Sequence, residues 1–257
     1  MSAEGPLAVS LERDGALLRL RLSRPKANIV DAAMIGALRA ALAEHRGRPG
    51  LIAALLDAEG PHFSFGASVE EHVADRCEAM LAALHGLVIE MLSFPAPILV
   101  AVRGQCLGGG LEVAMAGSRI FAARDAKMGQ PEIKLGVFAP AASCLLPARV
   151  NQPAAEDLLL TGRSVDATEA LAMGLVQAVG VDPEADALAY FDNHLAGKSS
   201  VAVALALRAA RVGFVPEVKR RIAEVERIYL DELMKTHDAN EGLAAFLAKR
   251  PAAWAHR

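Results

Sequence analysis

The chain has 257 residues, of which 53% are hydrophobic and 22% charged, a composition that excludes a disordered chain and allows a sizeable core. The formal net charge of −3, without a long basic run, argues against nucleic acid or an anionic membrane surface as a partner. Mean hydropathy is high, at +0.30. However, the most apolar window, 80–102, contains His85 and Glu90 and is interrupted by Pro95 and Pro97. A membrane span needs about 20 unbroken apolar residues, so none is expected.

The cysteines and the N-terminal segment indicate the cellular compartment of the protein and whether it holds disulfides or a metal. Cys77, Cys106 and Cys144 have no zinc-ligand spacing, and an odd count argues against a disulfide framework. The first 15 residues lack the pattern of a signal or transit peptide. We therefore expect a soluble, cytoplasmic protein without a metal site.

The predicted elements alternate between strands and helices over the first 180 residues. The alternating segments 7–11 and 17–22 predict a hairpin, and Asp31 can cap a helix that runs to about His45. Apolar runs and helical spacings then give the following order: strand 51–57, loop 58–68, helix 69–92, strand 98–102, a helix opening near Gly109, strand 120–123, helices 139–149, 153–160 and 167–174, and strand 175–179.

From residue 183 onward the pattern is helical only, over 184–196, 199–211, 216–235 and 238–250. The chain is thus predicted to be α/β first and all-helical last, with the change near residues 180–200. No flexible linker marks that change.

Three consecutive glycines, Gly108 to Gly110, lie where a strand ends and a helix begins. The segment fits neither the dinucleotide fingerprint GxGxxG nor the Walker A loop, which needs a lysine. Two interpretations stay open: tight packing of the backbone, or a helix N-terminus whose free N–H groups stabilise a developing oxyanion.

Two glutamates follow this glycine segment. Glu112 is on the first turn of the predicted helix among apolar neighbours, and a buried carboxylate without a partner is costly. Glu132, just after Pro131, is by itself more readily interpreted as a surface residue than as a catalytic one. His85 on an apolar helix is interpreted as a core histidine.

Taken together, six segments resemble the crotonase (enoyl-CoA hydratase/isomerase) superfamily, in the family's order and over almost the whole chain. The segments are RPKAN (24–28), FSFGASVE (63–70), AVRGQCLGGGLEVA (101–114), MGQPEIKLG (128–136), TGR (161–163) with 167–174, and DANEGLAAFLAKRPAAW (238–254).

The resemblance implies an α/β fold, a spiral of ββα units at 1–195 followed by a helical oligomerisation region at 196–257. It implies an acyl-CoA thioester as substrate, no cofactor beyond the CoA of that substrate, and a homotrimer or homohexamer. It places the oxyanion hole on the N–H groups of Ala67 and Gly109 and the hydratase acid–base pair on Glu112 and Glu132. The CoA contacts it implies are Lys26, Ala27, Phe65, Ala67, Ser68, Val69, Phe246 and Lys249, with Phe246 and Lys249 reaching a neighbouring subunit.

Two departures from the family pattern bear on specificity. Ser68 replaces the usual aspartate of the oxyanion loop, and 139–147 replaces the usual PGxGGTQRL segment beside the acyl pocket. This combination resembles the branch that hydrates cyclic dienoyl-CoA thioesters in anaerobic aromatic-ring degradation. A hydratase or isomerase of linear acyl-CoA, a non-catalytic RNA-binding relative and a purely structural oligomer stay open as alternatives.

Overall fold

The computed structural model describes residues 5–73 and 76–257. Over these residues the strands are β1 Leu7–Glu12, β2 Leu17–Leu22, β3 Ala53–Ala58, β4 Ile98–Val102, β5 Gln105–Leu107, β6 Arg119–Ala123, β7 Lys127–Gly129, β8 Ser164–Asp166 and β9 Ala178–Gly180. The helices are α1 Ala32–His45, α2 Cys77–Leu92, α3 Gly109–Met115, α4 Pro140–Arg149, α5 Gln152–Thr161, α6 Ala167–Ala172, α7 Pro183–Tyr190, α8 Ser200–Ala210, α9 Phe214–Arg227 and α10 His237–Leu247.

The central sheet has six strands in the order β1-β2-β3-β4-β6-β9. Only the β1–β2 hairpin is antiparallel, as predicted, and every other pair is parallel. All residues of β3 and β4 are buried, which is expected for parallel strands covered on both faces. The predicted α/β class is therefore confirmed.

Several local predictions are confirmed closely. The side chain of Asp31 caps α1 by accepting a hydrogen bond from the N–H of Met34 at 2.9 Å, and α1 ends at His45. The strand predicted at 98–102 has those bounds, and a helix opens at Gly109.

Other predictions need correction. The helix predicted from residue 69 begins at Cys77, because residues 69–71 form a separate 3₁₀ turn in which His72 Nδ1 bonds the Ser68 carbonyl at 2.7 Å. The apolar spacing that supported that helix begins only at Val73. The three-stranded sheet β5-β7-β8 was missed, because strands of three residues are too short to show alternation. The predicted strand 175–179 lies at Ala178–Gly180.

The C-terminal helices pack on the α/β part. Val218 and Ile222 of α9 belong to the main hydrophobic core. Helix α10 packs on the 3₁₀ turn Pro131–Leu135, which carries Glu132. The boundary at 195/196 and the oligomerisation role of this region stay predictions. No helix of the described residues has the length and apolar character of a membrane span.

Candidate active site

At the glycine segment, the backbone of Gly108 lies directly against the carboxylate of Glu132, because glycine has no side chain. Gly108 precedes α3 with φ of +51°, a left-handed conformation that favours glycine. A Cβ added there would lie 2.5 Å from Oε1 of Glu132. Of the two interpretations left open by the sequence, these close contacts support tight packing at the glycines, and the oxyanion role stays a prediction.

Ala67 and Gly109 lie side by side. A Cβ added to Gly66 would lie 3.5 Å from the nitrogen of Gly109, and one added to Gly109 would lie 3.1 Å from the nitrogen of Ala67. The N–H of Val30 fixes the loop by donating to the Gly66 carbonyl at 2.9 Å. Gly109 opens α3, and the first N–H groups of a helix have no partner within it. Two such neighbouring amides suit the stabilisation of an oxyanion.

Glu112 is buried on α3, with 2% of its surface exposed. Burial raises the pKa of its carboxyl. Three influences oppose this rise and favour the carboxylate: the charge of His85 and hydrogen bonds from the backbone N–H groups of Ala142 and Ala141. The Ala142 N–H donates to Oε1 at 2.8 Å. These groups stabilise the ionised form of Glu112, although its pKa is raised overall.

Glu132 is partly exposed at the cavity wall. Burial by its surroundings and the charge of Glu112 raise its pKa to about 8, so it holds a proton at neutral pH. With its amide nitrogen turned toward this carboxyl, buried Gln130 donates to Oε2 at 3.1 Å. The pKa of each carboxyl is thus raised by burial, and the two differ in their hydrogen-bond partners: backbone N–H groups for Glu112 and the Gln130 amide for Glu132.

One cavity joins these groups. It is lined by Phe65, Gly66, Ala67, Val69, His72, Leu81, Leu84, Gly108, Gly109, Glu112, Pro131, Glu132, Leu135, Val137, Phe138, Ala139 and Pro140. All four predicted reaction residues lie on it. The unusual segment 139–147 contributes both wall residues, Ala139 and Pro140, and the Ala142 amide that holds Glu112.

A neighbouring groove contains six of the predicted CoA contacts. Its lining comprises Arg24, Ala27, Ile29, Asp31, Phe65, Ala67, Ser68, Val69, Glu70, Glu71, Arg76, Phe246 and Leu247. Lys26 and Lys249 are exposed and do not line it. Phe246 lies on the groove of its own chain, since α10 folds back on the turn that carries Glu132. That Phe246 and Lys249 also reach a neighbouring subunit stays a prediction.

Sequence reasoning missed three supports of the site. These are the Ala142 amide, the Gln130 side chain and buried Asn28, whose amide donates to the carbonyls of Glu59 and His62, both at 3.0 Å. Asn28 and Gln130 stand inside the motifs that were singled out, which is the only signal they gave. Among the described residues, no three His, Cys, Asp or Glu side chains cluster as metal ligands would.

The fold and site can be compared with known proteins. The family described as Enoyl-CoA hydratase/isomerase matches residues 12–257. A crystal structure of an enoyl-CoA hydratase/isomerase from Pseudoalteromonas atlantica T6c is 29% identical, with a TM-score of 0.84 over 97% of this chain and 100% of that one. An enoyl-CoA hydratase from Mycobacterium avium subsp. paratuberculosis K-10 is 25% identical, with a TM-score of 0.85 over 97% and 98%. The chain belongs to the enoyl-CoA hydratase/isomerase family, and the spiral crotonase-type fold is confirmed.

Among curated relatives, the similarity to one hydratase is far higher. The cyclohexa-1,5-dienecarbonyl-CoA hydratase of Thauera aromatica is 64% identical over 255 residues, which cover 99% of each chain. A probable enoyl-CoA hydratase of Bacillus subtilis is 32% identical over 95% of this chain and 96% of its own.

Proposed function

We propose that the chain is a hydro-lyase that adds water to cyclohexa-1,5-diene-1-carbonyl-CoA, giving 6-hydroxycyclohex-1-ene-1-carbonyl-CoA in anaerobic benzoyl-CoA degradation. The observation that carries this proposal is the 64% identity over 99% of both chains to the Thauera hydratase. The glutamate pair at one cavity and the unusual segment 139–147 in its wall support it.

The geometry supports a stepwise assignment. The N–H groups of Ala67 and Gly109 bind the thioester oxygen and stabilise negative charge that develops there. Glu112 takes a proton from water while the water oxygen forms a bond to the β-carbon. The π electrons of the diene move onto the thioester carbonyl, which produces a dienolate.

Glu132 then supplies a proton to the far end of that dienolate, and the electron pair returns to form the double bond beside the thioester. The result is a net 1,4-addition of water. The pKa of Glu132, raised to about 8, keeps it protonated for this step. Afterwards the proton on Glu112 must return to Glu132 or exchange with water. Addition of water is redox-neutral, so the proposed reaction needs no electron acceptor, and the CoA enters as part of the substrate.

The groove beside the cavity is the proposed CoA site, with Phe65, Ser68 and Phe246 among its walls. We further propose that the protein is cytoplasmic and assembles as a homotrimer or homohexamer through the region after residue 196.

The test is product analysis in D₂O with the purified protein. The proposal expects a gain of one water and deuterium on the carbon across the ring from the new hydroxyl. Deuterium on the α-carbon, or no hydration of the cyclic diene, would contradict it.

Hydration of linear enoyl-CoA is the second candidate, because several relatives named as probable enoyl-CoA hydratases are 32–35% identical. A non-catalytic RNA-binding protein is not favoured, given the net charge of −3 and the paired glutamates.

A further inference from the structure

His85 is a buried histidine that the reaction scheme above does not use. It lies on α2 with 2% of its surface exposed. Its Nδ1 is 2.5 Å from Oε1 of Glu226 on α9, a residue 141 positions away. Its Nε2 is buried and has no hydrogen-bond partner among the residues that the structure describes. Buried histidines usually form hydrogen bonds through both ring nitrogens, so an Nε2 without a partner is unusual.

The residues and helices next to His85 contact the cavity that holds the two glutamates. Leu84, the preceding residue, lines the reaction cavity. Helix α2 packs against α3, the helix that carries Glu112. The charge of His85 is the largest influence that lowers the pKa of Glu112, ahead of the hydrogen bonds from Ala142 and Ala141. His85 and Glu112 therefore lie on two helices in direct contact.

The helices that pack against α2, namely α1, α3 and α9, carry further charged groups. On α1, Arg39 lies beside Gly86 and pairs with Glu90 of α2 at 2.6 Å. The other titratable groups on these helices are Glu44 and His45 of α1 and Glu217, Lys219, Arg220, Arg221, Glu224 and Arg227 of α9. Of these, Arg220 and Glu224 form an exposed pair with each other. Cys144 of α4 and the buried Tyr229 that follows α9 lie near Glu112.

We propose that His85, oriented by Glu226, is a positioning residue that holds Glu112 in its charged, proton-accepting state. Glu226 fixes the imidazole by occupying Nδ1, which leaves Nε2 for the interior. The positive charge that His85 carries when it pairs with Glu226 offsets part of the cost of keeping Glu112 ionised in an apolar wall. His85 transfers no proton in this arrangement, because its role is to set the charge state of the base. The role rests on the proposed hydratase function.

The test compares His85→Gln and Glu226→Gln with a matched control, His45→Gln. His45 is also a buried helical histidine, but it is on α1 and its Nδ1 bonds the Ala41 carbonyl at 2.9 Å. The readout is log kcat/KM against pH on whichever acyl-CoA the wild type hydrates. Removing the positive charge should move the acidic limb to higher pH by about one unit in His85→Gln. Glu226→Gln should move it less, and His45→Gln should not move it.

A purely structural role would give a different pattern: lower activity with the acidic limb unmoved in His85→Gln, and this result would overturn the proposal. Glu226→Gln keeps the histidine and serves if His85→Gln fails to fold. A ¹³C NMR titration of the carboxyl groups measures the pKa of Glu112 without turnover. Its signal is assigned as the one that disappears in Glu112→Gln. An unmoved titration therefore contradicts the role of His85, whereas an inactive wild type contradicts only the hydratase function.

Discussion

The cavity with the two glutamates and the proposed CoA groove meet at Ala67, yet they differ in how strongly their side chains are buried. In the cavity, Glu112 is 2% exposed and its carboxylate is held by backbone amides. In the groove, Phe65 and Phe246 are 43% and 52% exposed. In the cavity, burial shifts the pKa values of the glutamates. In the groove, the exposed aromatic rings provide surface for contact with a ligand. Small displacements should therefore cost much in the cavity and little in the groove.

The largest effect is expected from Glu112→Gln, which preserves shape but removes the base. We expect kcat to fall about 10³-fold while binding of a CoA ester persists, because general acid–base catalysis contributes about 10²–10⁴-fold. Steady-state kinetics and calorimetric titration with a CoA ester measure the two quantities. Glu44→Gln, an exposed glutamate on α1, is the control. Wild-type turnover in Glu112→Gln would refute the assigned role.

The second-largest effect on activity is expected from Gly108→Ala. The added Cβ would meet Oε1 of Glu132 at 2.5 Å and would also occupy a φ of +51°. Displacing the carboxylate by about 1 Å should lower kcat about 100-fold. Gly36→Ala adds a methyl group where no atom lies within 4 Å, so it should retain activity. Equal activity of the two variants would mean that the contact between Gly108 and Glu132 is unimportant.

The raised pKa of Glu132 predicts that activity and stability both fall as pH rises, but in different pH ranges. kcat should fall about tenfold per pH unit above about pH 8, as the acid is lost. Between about pH 4.5 and 8, the folded state retains a proton that the unfolded state has released, so this group lowers stability as pH rises.

Thermal unfolding of Glu132→Gln tests this directly. Its Tm relative to wild type should increase from pH 5 to pH 8. The exposed Glu78→Gln on α2 should show a constant difference. A constant difference for Glu132→Gln as well would show that its pKa is not raised.

The smallest effect is expected in the groove. Phe246→Ala removes a ring that is half exposed, so about 1 kcal/mol of contact is lost, equal to about a fivefold rise in KM with kcat unchanged. Leu160→Ala, a truncation of an exposed residue on α5, is the control for apolar surface. A large drop in kcat for Phe246→Ala would mean that the groove also shapes the cavity.

Sequence patterns predicted the elements that carry strong periodicity or caps, such as α1 behind Asp31 and the buried strand Ile98–Val102. The resemblance predicted the four residues that meet at the cavity. The three-residue strands were missed because alternation cannot be read over so short a run.

Contacts between residues that are far apart in the sequence could not be predicted either. The contact of His85 with Glu226 spans 141 positions, and the Ala142 amide that holds Glu112 belongs to the backbone, which leaves no mark in residue types. The fold brings these groups together, and no local pattern predicts their meeting.

The central claim is that this cavity hydrates a cyclic dienoyl-CoA. The most direct measurement is the ratio of kcat/KM for cyclohexa-1,5-diene-1-carbonyl-CoA to that for crotonyl-CoA, with the same purified protein. The account predicts a clear preference for the cyclic diene, with segment 139–147 as the element that selects it. A preference for crotonyl-CoA would contradict the claim and make the chain a general enoyl-CoA hydratase with the same glutamate pair.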